Sequence, residues 1–151
     1  GSESRGLGDV YKRQNGYWVG RKMWLSNLSK DQHQALIRLA HNVIVSDGLL
    51  DPNEEGMFDL MKKEMGIENS EEVEYLSLDG IETIFPDRKT RIIALINLIR
   101  IGYVDGAFEI EEECLLRDLA NSFDIELDEF ELLDNWVKRL VGLEKEAEAL
   151  F

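Results

Sequence analysis

The sequence predicts an all-α protein, a compact bundle of six to seven helices built from two pseudo-symmetric helical-hairpin halves. Three observations favour this fold class. Apolar residues recur at helical spacing in several segments, helix-capping residues precede those segments, and no segment shows the strict alternation of a half-buried strand. At 151 residues the chain is long enough for one domain with a sizeable core.

An internal repeat predicts the two halves. The segment Leu36–Glu55 reads LIRLAHNVIVSDGLLDPNEE, and the segment Thr90–Glu113 reads TRIIALINLIRIGYVDGAFEIEEE. In both segments an apolar helix runs to an Asp-Gly pair, and carboxylates follow four and seven residues after the Asp. The two Asp-Gly pairs lie 58 residues apart (105 minus 47). Two copies indicate a duplicated helical hairpin within one domain rather than an extended repeat array.

The first half begins with a capping box and ends at a glycine. Gln32 follows Ser29 by three residues, and apolar residues then recur at helical spacing up to the Asp-Gly pair at Gly48. Asp51 is a preferred N-cap, and a proline occupies the next position, where helices tolerate it. We therefore expect one helix from Ser29 to the Asp-Gly pair and a second from Asp51 to Gly66.

The second half contains the most apolar segment of the chain. We expect a short acidic helix over 71–76, one further helical turn, and then a central helix from Asp87 to Gly106. The central helix is apolar around nearly its whole circumference, which is typical of a buried helix, and it is too short to cross a membrane. Two amphipathic helices are expected to follow, over 110–123 and from Asp128 onward.

Residues 1–24 differ from the rest of the chain. The first two residues resemble a tag scar, and the segment Asp9–Gln14 is what the nucleotide sequence GATGTGTATAAGAGACAG encodes, which resembles a transposon adaptor. We therefore expect residues 1–24 to be a leader derived from a tag or adaptor, or poorly structured, and residues 25–151 to form the single helical domain.

The formal net charge of −14 limits the classes of partner. Such a protein repels nucleic acid and anionic membranes and attracts cations or proteins with a basic surface. The single cysteine precludes an internal disulfide. Because Cys114 precedes two leucines in a predicted helix and has no adjacent His, we expect a packed thiol rather than a nucleophile. The sequence has no signal-peptide pattern and no transmembrane run, so the expected location is the cytoplasm.

Each acidic loop offers three carboxylates to a divalent cation. Because all candidate ligands are oxygen atoms, Ca²⁺, Mg²⁺ or Mn²⁺ is favoured over Zn²⁺. Neither loop is an EF-hand. When the loop Asp is counted as position one, position twelve is apolar in both loops, whereas an EF-hand has a bidentate Glu there. The candidate metal ligands are Asp47, Asp51 and Glu54 in the first loop and Asp105, Glu109 and Glu112 in the second.

Helix capping offers a second explanation for the same carboxylates. Asp51 and Glu109 stand where helix starts favour acidic side chains. Asp47 and Asp105 are different, because each stands at a helix C-terminus, where the helix dipole disfavours a negative charge. A bound cation or N–H donors of the following helix would compensate both aspartates. The sequence leaves these two explanations open.

The doubled motif resembles that of the TerB-like tellurite-resistance domain family, which is also related to the N-terminal domain of a membrane-anchored DnaJ-type co-chaperone. The resemblance covers about Ser29 to Val141, although Val45-Ser46 stands where that family commonly has small alanines. It implies a bundle of two pseudo-symmetric halves, a divalent-metal site and an accessory role in stress or tellurite response without catalysis. The motif residues are Asp47, Gly48 and Glu54, and Asp105, Gly106 and Glu112.

Three hypotheses for function follow. The first is a non-enzymatic, cytoplasmic TerB-like domain with an acidic surface that binds a divalent metal or a partner. The second is a co-chaperone-like protein-interaction module that binds basic partners without metal. The third is a metal-dependent phosphoester hydrolase, which requires carboxylates that converge in a cleft. Because the sequence contains no phosphate-binding loop, nucleophile elbow or zinc-protease motif, we predict no catalytic residue and no enzymatic activity.

Overall fold

The computed structural model describes residues 23–46, 48, 51–67, 73–104 and 108–151. Within these ranges the protein is all-helical and contains no strand, so the predicted fold class is confirmed. A 3₁₀ turn at Leu25–Asn27 precedes six α-helices. They are α1 (Lys30–Val45), α2 (Pro52–Glu64), α3 (Ile81–Ile84), α4 (Arg88–Tyr103), α5 (Ile110–Ser122) and α6 (Leu127–Glu148).

The helix boundaries repeat with the shift that the sequence predicted. Helices α1 and α4 both have 16 residues, and α4 starts 58 residues after α1 (88 minus 30). Helices α2 and α5 both have 13 residues and start 58 residues apart (110 minus 52). Each half packs its own hairpin, α1 on α2 and α4 on α5, and the halves meet through α1 on α4, α1 on α5 and α2 on α4.

The N-terminal caps of the two long helices also correspond. Ser29 begins α1 with a capping box, in which its backbone N–H donates to Oε1 of Gln32 (2.9 Å) and the Gln32 N–H donates to its hydroxyl (3.2 Å). Asp87, 58 residues later, accepts a hydrogen bond from the N–H of Thr90 (2.8 Å) at the start of α4. Both predicted helix starts are therefore confirmed.

The second helix of each half ends in the same hydrogen-bonded motif. After α2, Gly66 has a φ of +74° and the N–H of Ile67 donates to the carbonyl of Lys62 (2.9 Å). After α5, Asp124 has a φ of +58° and the N–H of Ile125 donates to the carbonyl of Ala120, also at 2.9 Å. This is a Schellman end, in which a left-handed residue lets the chain turn back and satisfy a carbonyl of the last helical turn.

Helix α4 forms the centre of the bundle. Every residue from 93 to 102 is buried, and Leu95, Leu98, Ile99 and Ile101 are completely inaccessible to solvent. Helices α1, α2, α5 and α6 all pack against it. The prediction of a buried central helix is confirmed, although α4 ends at Tyr103, and the predicted end at Gly106 lies outside the described residues.

The predicted acidic helix over 71–76 is wrong for its described part, because residues 73–77 are not helical. Side chains of α1 hold this segment by its backbone carbonyls. Arg38 donates to the carbonyls of Glu74 (3.2 Å) and Tyr75 (2.8 Å), and Asn42, one turn later, donates to that of Leu76 (2.8 Å). A helix would use its carbonyls internally, so these contacts favour a non-helical backbone.

Two further boundaries differ from expectation. Helix α6 begins at Leu127 with Glu126 as its N-cap residue, and the predicted cap Asp128 instead accepts a hydrogen bond from the N–H of Glu129 (2.9 Å).

Residues 1–22 of the predicted leader lie outside the described residues, whereas its last two residues belong to the bundle. Met23 is fully buried, and its carbonyl accepts a hydrogen bond from Asn97 (3.0 Å). No helix in the described ranges is long and apolar enough to cross a membrane.

Two glycines of the first half provide a paired test of the fold. Gly66→Ala should lower the free energy of unfolding by about 1 kcal/mol, because an L residue with a φ of +74° is strained. Gly56→Ala should raise it by about 0.5–1 kcal/mol, because Gly56 is exposed in the interior of α2 and an added Cβ meets no atom within 4 Å. Urea denaturation of both variants measures the difference. Equal effects of the two substitutions would contradict the assigned helix end.

Candidate metal-binding loops

The structure describes four of the six candidate ligands, and Asp47 and Asp105 lie outside the described residues. The four occupy equivalent positions in the two halves. Asp51 and Glu109 are the N-cap residues of α2 and α5, and Glu54 and Glu112 stand three residues later in the first turn of each helix. The structure therefore brings each N-cap carboxylate next to the Glu that the sequence paired with it.

Asp51 works as an N-cap. Its Oδ1 atom accepts hydrogen bonds from the N–H groups of Asn53 (2.7 Å) and Glu54 (3.3 Å). These are two of the backbone donors that the start of a helix leaves without an intrahelical acceptor. The capping explanation is therefore confirmed for this residue.

In the second half, Glu109 and Glu112 form a capping box at the start of α5. The backbone N–H of Glu109 donates to Oε1 of Glu112 at 3.1 Å, and the side chain of Glu109 accepts from the backbone N–H of Glu112. Glu109 itself is exposed, whereas Glu112 is only 1% exposed. The carboxylate of Glu112 thus lies under the start of α5, near the positive end of the helix dipole.

The sequence predicted Glu54 and Glu112 as candidate ligands but did not predict that they are buried. They are 2% and 1% exposed, while most other acidic residues in the described ranges lie at the surface. Burial of a carboxylate is unfavourable unless hydrogen bonds or a positive charge compensate it. A buried acid thus stands at the same position of both halves.

Gln32 shows that capping alone does not require that charge. It occupies the equivalent first-turn position of α1, is also buried, and accepts the hydrogen bond from the N-cap N–H through a neutral amide. Its Nε2 atom donates to the carbonyl of Ile84 (3.0 Å) and ties α1 to α3. A glutamine can therefore fill the capping position in this protein and satisfy both of its polar ends.

The described residues of the two loops do not include a complete metal site. Among the residues that the structure describes, no group of three or more His, Cys, Asp or Glu side chains is arranged to hold a metal ion. In each loop, the structure describes two of the three carboxylates that the sequence analysis assigned to a metal ion. The third, Asp47 or Asp105, falls in a gap of the described ranges.

A second group of polar residues, buried or half-buried, lies between α4 and α6. Arg100, with only 6% of its side chain exposed, forms an ion pair with Glu144, and the hydroxyl of Tyr103 donates to Asp134 (2.6 Å). Burial and then the contact with Asp134 raise the pKa of Tyr103. The sequence feature that points to this polar group is an arginine within an otherwise apolar run.

Cys114, predicted to be a packed thiol, is instead exposed, because it lies on the outer side of α5.

Comparison of the chain with models of protein families, with curated proteins and with solved structures found no match. The resemblance to the TerB-like family therefore stays a prediction from the motif residues.

The capping contribution of Asp51 can be measured without metal. In the presence of a chelator, Asp51→Ala should lower the free energy of unfolding by about 1 kcal/mol, because two N–H groups lose their acceptor. Asp51→Asn keeps an acceptor oxygen and should retain most of that stability. If Asn and Ala destabilise equally in urea denaturation, the charge of Asp51 rather than its acceptor oxygen stabilises the helix start.

Proposed function

We propose that this protein is a non-enzymatic accessory domain in which each acidic loop binds a divalent cation. Oxygen ligands alone favour Ca²⁺, Mg²⁺ or Mn²⁺. The proposed ligands are Asp47, Asp51 and Glu54 in one loop and Asp105, Glu109 and Glu112 in the other.

The observation that carries this proposal is the burial of Glu54 and Glu112 at equivalent positions of the two halves. Elsewhere the two halves differ in residue type at corresponding positions. For example, Leu39 corresponds to Asn97, and Asn42 corresponds to Arg100. The buried acid is kept in both. A cation bound in each loop would be attracted by the negative charge of the buried carboxylate.

The neutral Gln32 strengthens the argument. If the first-turn residue served only to accept a backbone N–H, glutamine would suffice, as it does at the start of α1. A carboxylate adds charge and a second oxygen acceptor, and both are what a hard cation requires. The N-cap residues Asp51 and Glu109 add a further carboxylate at the mouth of each loop.

We further propose that the domain is TerB-like and acts in the cytoplasm as an accessory in the response to tellurite or a related stress. The duplicated hairpins, the acidic composition and the doubled Asp-Gly motif support this assignment. The cation would then stabilise the loops for contact with a partner protein rather than take part in a reaction.

Titration calorimetry with Ca²⁺, Mn²⁺ and Mg²⁺ tests the metal proposal. The native protein should bind two ions, and Glu54→Gln and Glu112→Gln should each remove one of them, because the amide keeps the shape and the acceptor oxygen but not the charge. Matched controls are Glu55→Gln and Glu111→Gln, which change exposed residues in the same helical turns and should bind as the native protein does.

Thermal unfolding provides an independent readout. A bound ion should raise Tm by an amount that grows with the logarithm of its concentration relative to its Kd. Without metal, the two buried-residue variants should fold with native helical content. Absence of binding at millimolar concentrations of all three ions, or full binding by both Glu54→Gln and Glu112→Gln, would refute the proposal.

A metal-independent interaction with basic proteins is the second candidate. It is favoured by the acidic side chains that α2, α5 and α6 present to solvent, which include Glu55, Asp59, Glu111, Asp118, Glu131 and Glu146. An exposed surface of one charge sign attracts the opposite sign over a distance set by ionic strength.

Titration with a lysine-rich peptide in the presence of a chelator tests this candidate. Binding should be present at low salt and should weaken strongly as NaCl rises, because the attraction between exposed charges is screened. Binding that requires a divalent ion would exclude the metal-independent candidate and would favour cation-loaded loops as the contact surface.

A further inference from the structure

The two ends of the second acidic loop contact each other. Helix α4 ends at Tyr103, and Phe108 immediately precedes Glu109, the N-cap residue of α5. The ring centroids of Tyr103 and Phe108 lie 4.4 Å apart, and both side chains are half-buried. The ring of Phe108 also lies over the backbone of Gly102. We define these three residues as the aromatic clamp: Gly102, Tyr103 and Phe108.

Gly102 provides the space that the ring of Phe108 occupies. It is buried in the last turn of α4, and a Cβ at this position would lie 2.0 Å from Cε1 of Phe108 and 2.2 Å from Cδ1. Because carbon atoms that are not bonded to each other pack at about 3.5–4.0 Å, any side chain at residue 102 would displace the ring. The position of Phe108 thus accounts for a glycine inside a helix, where glycine is otherwise unfavourable.

Tyr103 attaches the aromatic clamp to α6. Its hydroxyl donates a hydrogen bond to Oδ1 of Asp134 at 2.6 Å, so its ring is held at both ends, by Phe108 and by a different helix. Phe108 adjoins Glu109 in the chain. The aromatic clamp therefore fixes the start of α5 against the end of α4 and against α6.

The first half has no aromatic clamp. With the shift of 58 residues, the residues at the corresponding positions are Ile44, Val45 and Leu50. The first of them has a Cβ where the aromatic clamp requires none, and the other two have no aromatic ring. The position that corresponds to Asp134 is Leu76, whose side chain cannot accept a hydrogen bond. The closure that the second half uses is therefore not open to the first half.

We infer that the aromatic clamp preorganises the second acidic loop, so that this loop binds a divalent cation more tightly than the first loop does. The inference rests on the proposed function. A site whose ligands are already held in place loses less conformational freedom when it binds. The aromatic clamp holds Glu109 through the adjacent Phe108, and the capping box connects Glu109 to Glu112. Its three members are positioning residues, because they act through these two glutamates.

Two single-site variants allow the loops to be compared. Glu54→Gln leaves the three proposed ligands of the second loop unchanged, and Glu112→Gln leaves those of the first loop unchanged. Each variant is titrated calorimetrically with Ca²⁺, Mn²⁺ and Mg²⁺ in turn. For the ion that the native protein binds best, the Kd of Glu54→Gln should be about tenfold lower than that of Glu112→Gln, or lower still.

Gly102→Ala, introduced into both single-site variants, tests the role of the aromatic clamp. It should raise the Kd of Glu54→Gln by about tenfold, because the added Cβ displaces Phe108. It should leave the Kd of Glu112→Gln unchanged, and that unchanged value also shows that the bundle is still folded. The matched control is Gly142→Ala on α6, where an added Cβ meets no atom within 4 Å and neither Kd should change.

Tyr103→Phe provides a more conservative test. It keeps the ring that contacts Phe108 but removes the hydrogen bond to Asp134. It should raise the Kd of Glu54→Gln by less than Gly102→Ala does, and it should not change the Kd of Glu112→Gln.

The possible results separate the inference from the proposed function. If the native protein binds none of the three ions, the proposed function fails and the inference fails with it. If ions bind but the two single-site variants have the same Kd, or the first loop binds more tightly, only the inference is wrong. The same conclusion follows if Gly102→Ala weakens binding equally in both variants, or in neither.

Discussion

The structure depends on the burial of α4 on all sides. With residues 93–102 removed from solvent, four other helices surround α4, and its buried polar side chains form contacts with other parts of the chain. Asn97 donates to the carbonyls of Met23 (3.0 Å) and Ile93 (2.8 Å), and Arg100 pairs with Glu144. The buried helix therefore fixes where the segment before α1 and the later turns of α6 lie, and these elements complete the bundle around the duplicated hairpins.

The two halves differ where each one packs against a segment that has no counterpart in the other half. Asn42 and Arg100 occupy equivalent positions in α1 and α4, 58 residues apart. Asn42 reaches the carbonyl of Leu76 and holds the non-helical segment over 73–77 against α1. Arg100, which is longer and charged, reaches the carboxylate of Glu144 on α6. One duplicated position thus serves two different attachments, and the side chain at that position matches the group it must reach, a carbonyl in one half and a carboxylate in the other.

In the proposed metal-binding loops, a carboxylate that caps a helix would also be a ligand. Asp51 caps α2, yet the same residue type at a loop exit offers oxygen atoms to a cation. Glu54 and Glu112 are charged at the position where the neutral Gln32, which is also buried, performs the capping task in α1. This difference in charge between the two glutamates and Gln32 is the basis of the proposal that each loop binds a cation.

The sequence by itself determined the helices, the duplication and most caps, because these depend on local periodicity and on side chains that bond within three or four residues, as Ser29 and Asp87 do. It predicted the six acidic residues as one chemical set. It did not determine the backbone over 73–77, the burial of Glu54 and Glu112, or the exposure of Cys114. Only the tertiary structure decided those, because each depends on a residue distant in sequence, such as Arg38 for the carbonyls of Glu74 and Tyr75, or on which side of a helix its neighbours cover.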